Sequence, residues 1–281
     1  MLRQRVITAL VLVSIMLAAL SAGPAWPFAL LTLVLIAAAG WEWARLNQSG
    51  GPLAVAMGLA LALAGALALA AGWTAAAPAL IWWLTLALWV ASGWLALRAG
   101  PTAWPLLPRV ARWGLGLMAL WAAWLSVAQA RGVGINFLLS VLCLVWMADV
   151  AAYFGGRAWG RRKLAPSISP GKSWEGVWSG MLGVLVLAVF WIWLDTLGGF
   201  DGPSVYTRLW QALGGAGTLV ALLGLCGLSV VGDLLESLVK RAAGAKDSSR
   251  LLPGHGGVLD RVDALLPVVP AAMALMTLNL K

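Results

Sequence analysis

Long apolar runs, broken by short polar segments, recur along the whole chain. Each is close to the roughly 20 residues that cross a bilayer as a helix. Nine can be delimited, near 5–22, 27–45, 53–73, 75–97, 111–130, 134–155, 176–197, 212–238 and 262–280. None alternates apolar with polar positions as a strand of a membrane barrel would. The pattern predicts an all-α, polytopic integral membrane protein of about nine transmembrane helices, forming one membrane domain over 1–281. Arg3 and Arg5 ahead of an apolar run that ends at Ser21–Gly23 would also fit a signal peptide. An uncleaved first span is the preferred reading.

Composition agrees. Of 281 residues, 62% are hydrophobic and 10% are charged, whereas soluble domains are nearer a quarter charged. With the N-terminus in the cytoplasm, all of the 19 Lys and Arg except Arg131, Arg208 and Lys281 fall on one side. This asymmetry supports both the segmentation and a cytoplasmic placement of the basic loops. The expected location is the inner (plasma) membrane, with the site on the cytoplasmic side. The formal charge of +9 is a topology and phosphate-handling signal. Nucleic acid is not implied, because no basic module interleaved with aromatics occurs. Cys143 and Cys226 lie inside spans, without metal-ligand spacing, and read as packing residues. Trp41, Trp43, Trp73, Trp94, Trp104 and Trp210 lie near span ends, where interfacial rings are expected. Trp82, Trp83 and Trp89 read as packing or lipid-facing.

Candidate chemistry is unevenly spread. Residues 1–130 carry one acid, Glu42, expected to pair locally with Arg45 at i+3. Arg98, Arg109 and Arg112 read as headgroup anchors. Residues 145–263 form a catalytic portion with two basic, Gly-rich loops, 155–176 and 242–259. Acids cluster at the helix ends that flank them. Asp149 and Tyr153 share a face, as do Asp233, Glu236 and Lys240, and then Asp260 and Asp263. Topology brings three acidic helix ends and two basic loops to one side of the membrane.

That combination suggests Mg²⁺ and phosphate. Hard divalent cations take oxygen ligands, and Mg²⁺ uses one or two carboxylates plus substrate phosphates. Asp233 and Asp260 are the candidate ligands. A helix ion pair is the alternative for Asp233, and a first-turn helix acid for Asp260. Asp263 would orient Arg261 or touch a second metal. The turn Pro253–Gly257 (PGHGG) lets backbone N–H groups approach a phosphate. His255 could be a base, a phosphate donor or a residue that orients the loop. Lys172, Lys240, Arg241, Lys246 and Arg261 are interleaved with acids, Gly and Ser, which bilayer anchoring would not need.

Ser237, Lys240, Arg241, Lys246, Asp247, Ser249, Pro253, His255, Gly256, Gly257, Asp260, Arg261 and Asp263 together resemble the C-terminal signature of the phosphatidate cytidylyltransferases, without a departure. Gly232–Asp233 with Glu236–Ser237, the segment beginning at Asp149, and Ser169–Gly176 also look like segments of that family. It often has Lys-Thr where this chain has Lys172–Ser173. Strong resemblance covers roughly 149–263.

The resemblance implies the reaction CTP + phosphatidate → CDP-diacylglycerol + pyrophosphate, with Mg²⁺ held by Asp233 and Asp260. It implies catalytic roles for Lys172, Lys240 and Asp263. Substrate binding would fall to Asp149, Ser173, Glu236, Ser237, Arg241, Lys246, Asp247, His255, Gly256, Gly257 and Arg261. The expected partners are CTP, phosphatidate and the bilayer, and small-residue faces leave a homodimer open. The nearest rival is a CTP-dependent kinase of a polyprenol or similar lipid alcohol. From another class, a transporter of an anionic metabolite would place its charges at mid-membrane.

Overall fold

The computed structural model describes residues 2–278, with side chains from residue 6 onward. The charges expected at Arg3, Arg5 and Lys281 lie outside what is described. Helices dominate: α1 (Leu2–Ser21), α2 (Trp26–Leu46), α3 (Gly51–Ala70), α4 (Ala79–Ala99), α5 (Arg109–Val133), α6 (Ile135–Trp159), α7 (Trp174–Leu197), α8 (Val205–Ala242), α9 (Leu259–Val262) and α10 (Leu265–Met276). A 3₁₀ turn at Trp104–Leu106 precedes α5.

Among the described residues seven helices, α2 to α8, are long and apolar enough to cross a membrane. The two terminal runs are different. The described apolar part of α1 is Val6–Ser21, and α10 has only 12 residues. At about 1.5 Å per residue, α10 reaches about 18 Å of a hydrocarbon core near 30 Å. Its residues 266–274 are all buried, and it packs against α4, α5, α6 and α8. The apolarity of this last run therefore reflects burial in protein rather than contact with lipid.

The long helix α8 spans 38 residues and kinks at Gly214, where φ is +66°. A glycine tolerates this left-handed backbone without a Cβ penalty. Between α6 and α7 the chain makes a two-stranded antiparallel hairpin, β1 (Lys163–Ala165) and β2 (Ser169–Ser173). The all-α expectation did not include it.

Helices α6 and α7 approach closely because small residues face each other. A Cβ on Gly180 would stand 2.8 Å from the Ala148 carbonyl oxygen, and one on Gly176 2.9 Å from that of Ala152. Such small-residue faces let helix backbones meet where lipid supplies no hydrophobic drive. This contact fixes the mouth of the hairpin.

Several residues expected at the interface are internal. Trp43 and Trp104 are buried and meet edge to face at 6.0 Å. The Trp43 Nε1–H donates to the Arg112 carbonyl, and that of Trp104 to Asn47 Oδ1, both at 2.9 Å. Arg112 is buried too, and its Nε donates to the Leu107 carbonyl at 3.2 Å. It braces the α4–α5 connection instead of touching headgroups, because its neighbouring carbonyls satisfy its donors. Arg98 is exposed and lies 4.0 Å from the Trp94 ring centre. Trp82 and Trp89 pack inside.

Candidate active site

Two groups of side chains meet where α2, α6 and α8 end and α7 and α9 begin. In the first, the last turns of α8 carry Glu236 and Lys240 at i, i+4. Glu236 is buried and paired with Lys240. Lys240 Nζ also donates to Asp260 Oδ1 at 2.7 Å. Asp260 further accepts the Gly257 N–H at 2.8 Å, the Ser248 N–H at 2.9 Å and the Ser248 hydroxyl at 2.9 Å. Burial works against its charge. Hydrogen bonds involving Glu236, Lys240 and the Gly257 and Ser248 amides outweigh burial and hold the carboxyl well below its usual range.

The glycines of the turn are there for space. Gly256 has φ +83°, and a Cβ on it would stand 2.7 Å from Asp260 Oδ2. A Cβ on Gly257 would collide with the Ser248 hydroxyl and the Glu42 carboxylate.

Glu42 is the residue that sequence reasoning misplaced. It is fully buried at the end of α2. It accepts the N–H groups of Val258 at 3.0 Å and Leu259 at 2.7 Å, and the hydroxyls of Ser249 at 2.5 Å and Ser248 at 3.3 Å. The expected bridge to Arg45 is not made among the described residues. Arg45 is exposed, 4.7 Å from the Trp41 ring centre. A buried carboxylate needs donors, and exposed Arg45 offers none to the interior, whereas the start of α9 offers two free N–H groups. Only a contact spanning more than 200 residues brings these together, so local spacing could not reveal it. A lone acid in an apolar half was the available signal.

The second group lies between α6, the hairpin and α8. Lys172 Nζ and Asp233 Oδ2 pair at 2.5 Å. The Ser237 hydroxyl donates to Asp233 Oδ1 at 3.3 Å. Asp149, Tyr153, Arg157, Lys172, Ser173 and Asp233 are among the residues lining a cleft of ≈ 630 Å³, within the size range of ligand pockets. Asp263 sits between α9 and α10 and accepts the Ala264 N–H at 2.9 Å. Burial, and then the Asp233 carboxylate, push Asp263 up to about 7.

Other candidate residues hold the frame. The Ser173 hydroxyl accepts the Gly176 N–H at 3.2 Å and caps α7. Arg261 donates through Nε and a terminal nitrogen to the His255 carbonyl, at 3.0 and 2.6 Å. That closes the 252–256 turn, which is also held by the Leu252–Gly256 bridge. His255 Nδ1 is buried without a protein partner among the described residues. Arg241 reaches the Ile168 and Ala245 carbonyls at 3.4 Å, tying α8 to the hairpin. Lys246 and Asp247 are exposed on the loop, without a side-chain bond among the described residues.

Among the described residues no group of three His, Cys, Asp or Glu is gathered as a ready-made metal site. Each of the two candidate ligands is instead neutralised by a lysine. Oxygen-only donors and the charge that Asp233 imposes on buried Asp263 fit a hard cation sharing its shell with substrate phosphates.

Comparison with known proteins extends the picture. The Cytidylyltransferase family profile matches residues 3–279. A phosphatidate cytidylyltransferase of Pseudomonas aeruginosa is 39% identical over 290 residues, covering 98% of this chain and 97% of that one. The one of Haemophilus influenzae is 49% identical over 139 residues, 49% of this chain and 44% of its own. That of Brucella melitensis is 46% identical over 157 residues, 55% of this chain and 51% of its own. A match from end to end, carried by a relative covered almost whole, means that the chain belongs to the cytidylyltransferase family.

Proposed function

We infer that this chain transfers the cytidylyl group of CTP to phosphatidate, releasing pyrophosphate and leaving CDP-diacylglycerol in the bilayer. One observation carries the reading: a cleft where Lys172 meets Asp233 at the ends of membrane-crossing helices. A near-full-length relative bears the name of this activity.

A phosphate oxygen of phosphatidate attacks the α-phosphorus of CTP. The bond from that phosphorus to the oxygen bridging to the β-phosphorus breaks, and pyrophosphate leaves with the electron pair. The attacking phosphate is already ionised at neutral pH, so no general base is required. The difficulty is bringing two anions together. Lys172 and Lys240, freed from Asp233 and Asp260, present cationic groups to the phosphates. The Gly256–Gly257 turn and Asp260 position the loop around them. Asp233 and Asp260 would hold Mg²⁺, with Asp263 beside Asp233. The bound ion would neutralise triphosphate charge and stabilise the leaving pyrophosphate.

We place this site on the cytoplasmic face of the inner membrane, since the basic residues collect there and CTP is soluble. Nine crossings would require the shorter apolar helices α1 and α10 to pass the membrane beside the seven long ones found among the described residues. The decisive experiment incubates purified protein and phosphatidate with CTP labelled at the α- or the γ-phosphate. Lipid should acquire label from the α position alone. Label from the γ position would make the protein a lipid kinase and overturn the reading.

A further inference from the structure

We propose that the lipid substrate docks its phosphate in a second cleft, beside the catalytic one, at the outer edge of the α6–hairpin–α7 unit. The proposal rests on the reading that phosphatidate is the acceptor. This cleft has a volume of ≈ 720 Å³ and is lined by Arg157, Arg161, Arg162, Trp159, Trp174 and Trp178. None of the three guanidinium groups is paired with a carboxylate among the described residues. Glu175, the one acid lining the cleft, accepts the backbone N–H groups of Arg161 and Arg162, each at 3.1 Å. Glu175 thereby pins the turn that carries both arginines. Three guanidinium groups against the single Glu175 carboxylate leave the cleft net positive, which suits a phosphate monoester with several acceptor oxygens and close to two negative charges.

The tryptophans say which phosphate. Trp159, Trp174 and Trp178 are 68%, 45% and 60% exposed, and the rings of Trp174 and Trp178 lie 6.2 Å apart. They stand at the end of α6 and the start of α7, where an indole suits the boundary between hydrocarbon and headgroup. A soluble anion has no use for them. A phosphate attached to acyl chains does.

Arg157 links this cleft to the reaction. It lines both clefts, and its NH1 donates to the Tyr153 hydroxyl at 3.2 Å. Tyr153 in turn lines the cleft of Lys172 and Asp233. A lipid phosphate held by Arg161 and Arg162 thus borders, through Arg157, on the place where it must react. The headgroup need not leave the membrane surface to arrive.

The test uses full-length protein in detergent and the variant Arg161→Gln/Arg162→Gln. Binding is measured with dioctanoyl-phosphatidate, dioctanoyl-phosphatidylglycerol and inorganic phosphate. Kinetics are followed with CTP and phosphatidate. The proposal expects affinity for phosphatidate to fall about tenfold and KM for phosphatidate to rise about as much, from the loss of two charge-assisted contacts. KM for CTP should stay within about twofold. Inorganic phosphate should bind far more weakly than the lipid. An unchanged phosphatidate affinity would overturn the proposal. So would an equal loss for phosphatidylglycerol, or the same loss from Arg98→Gln/Arg109→Gln, because either marks general surface charge. If the double variant fails to fold, a diazirine-bearing phosphatidate decides on the unaltered protein. Crosslinks should fall in 157–162 and 174–178, and crosslinks confined elsewhere overturn the site. Phosphatidate bound here without any cytidylyl transfer would instead refute the reaction and leave the site standing.

Discussion

A fully buried carboxylate at the end of α2 holds the loop that carries the site. Glu42 takes two helix-start N–H groups and two serine hydroxyls. Asp260 helps to hold the same loop and shares the Ser248 hydroxyl with Glu42. Replacing Glu42 by Gln turns one acceptor oxygen into a donor aimed at N–H groups. We expect Glu42→Gln to cost about 2 kcal/mol, the worth of a hydrogen bond to a charged group. Its thermal midpoint should drop, and amide hydrogen exchange should speed up across 248–259 while α3 and α7 keep their protection. Turnover should fall with the loosened loop. Unaltered exchange in 248–259 would show that Glu42 does not hold it. At this scale the sequence singled out Asp233, Asp260, Lys172 and Lys240 by type and spacing, and the structure pairs them as Lys172–Asp233 and Lys240–Asp260. It could not reveal Glu42, whose partners are remote, nor that Ser173 and Arg261 brace backbone through their own side chains.

Among the elements, α6 and α7 are joined by a seam of small residues that sets the width of the catalytic cleft. Gly180 makes the closest approach to facing backbone in that seam: a Cβ there would stand 2.8 Å from the Ala148 carbonyl oxygen. Gly224 on α8 is a built-in contrast, since a Cβ there would meet nothing within 4 Å. Gly180→Leu should therefore cost about 1–3 kcal/mol through overpacking, lower the melting temperature in detergent and reduce turnover. Gly224→Leu should leave both nearly unchanged. Equal melting temperatures for the two variants would mean that the seam is not under steric control. Hydrophobic periodicity located these helices well, since a membrane span must satisfy its own backbone. The same signal could not distinguish α10, buried by its neighbours, from a helix facing lipid. Nor could it find the hairpin, because three paired residues in β1 are too few to form a pattern.

For the molecule as a whole, the placement of charge predicts the orientation. The helix ends bearing Glu42, Asp149, Lys240 and the hairpin gather on one side. Asn136, Asp195, Asp201 and Ser204 form a polar knot at the other end of α6, α7 and α8. Topology is best read with single cysteines in a Cys143→Ser/Cys226→Ser background. Phe200 is the better outer position, because Asp201 accepts the N–H groups of Ile135 and Asn136 and its loss would disturb α6. A membrane-impermeant thiol reagent should label Phe200→Cys from outside intact cells and should not reach Lys246→Cys. The reverse pattern would invert the protein in the membrane.

Apolar run length and the motif spacing within 149–263 were enough to establish a helical membrane protein of the cytidylyltransferase family, and charge asymmetry to predict its orientation. Each of these depends on interactions that are local in the chain or on the bilayer itself. Tertiary structure alone decided which carboxylate is paired with which lysine, that Glu42 belongs to the loop rather than to Arg45, and that Arg157 borders two clefts. These depend on side chains from distant segments competing for the same few hydrogen-bonding partners. That competition is settled by packing and leaves no periodic trace in the sequence.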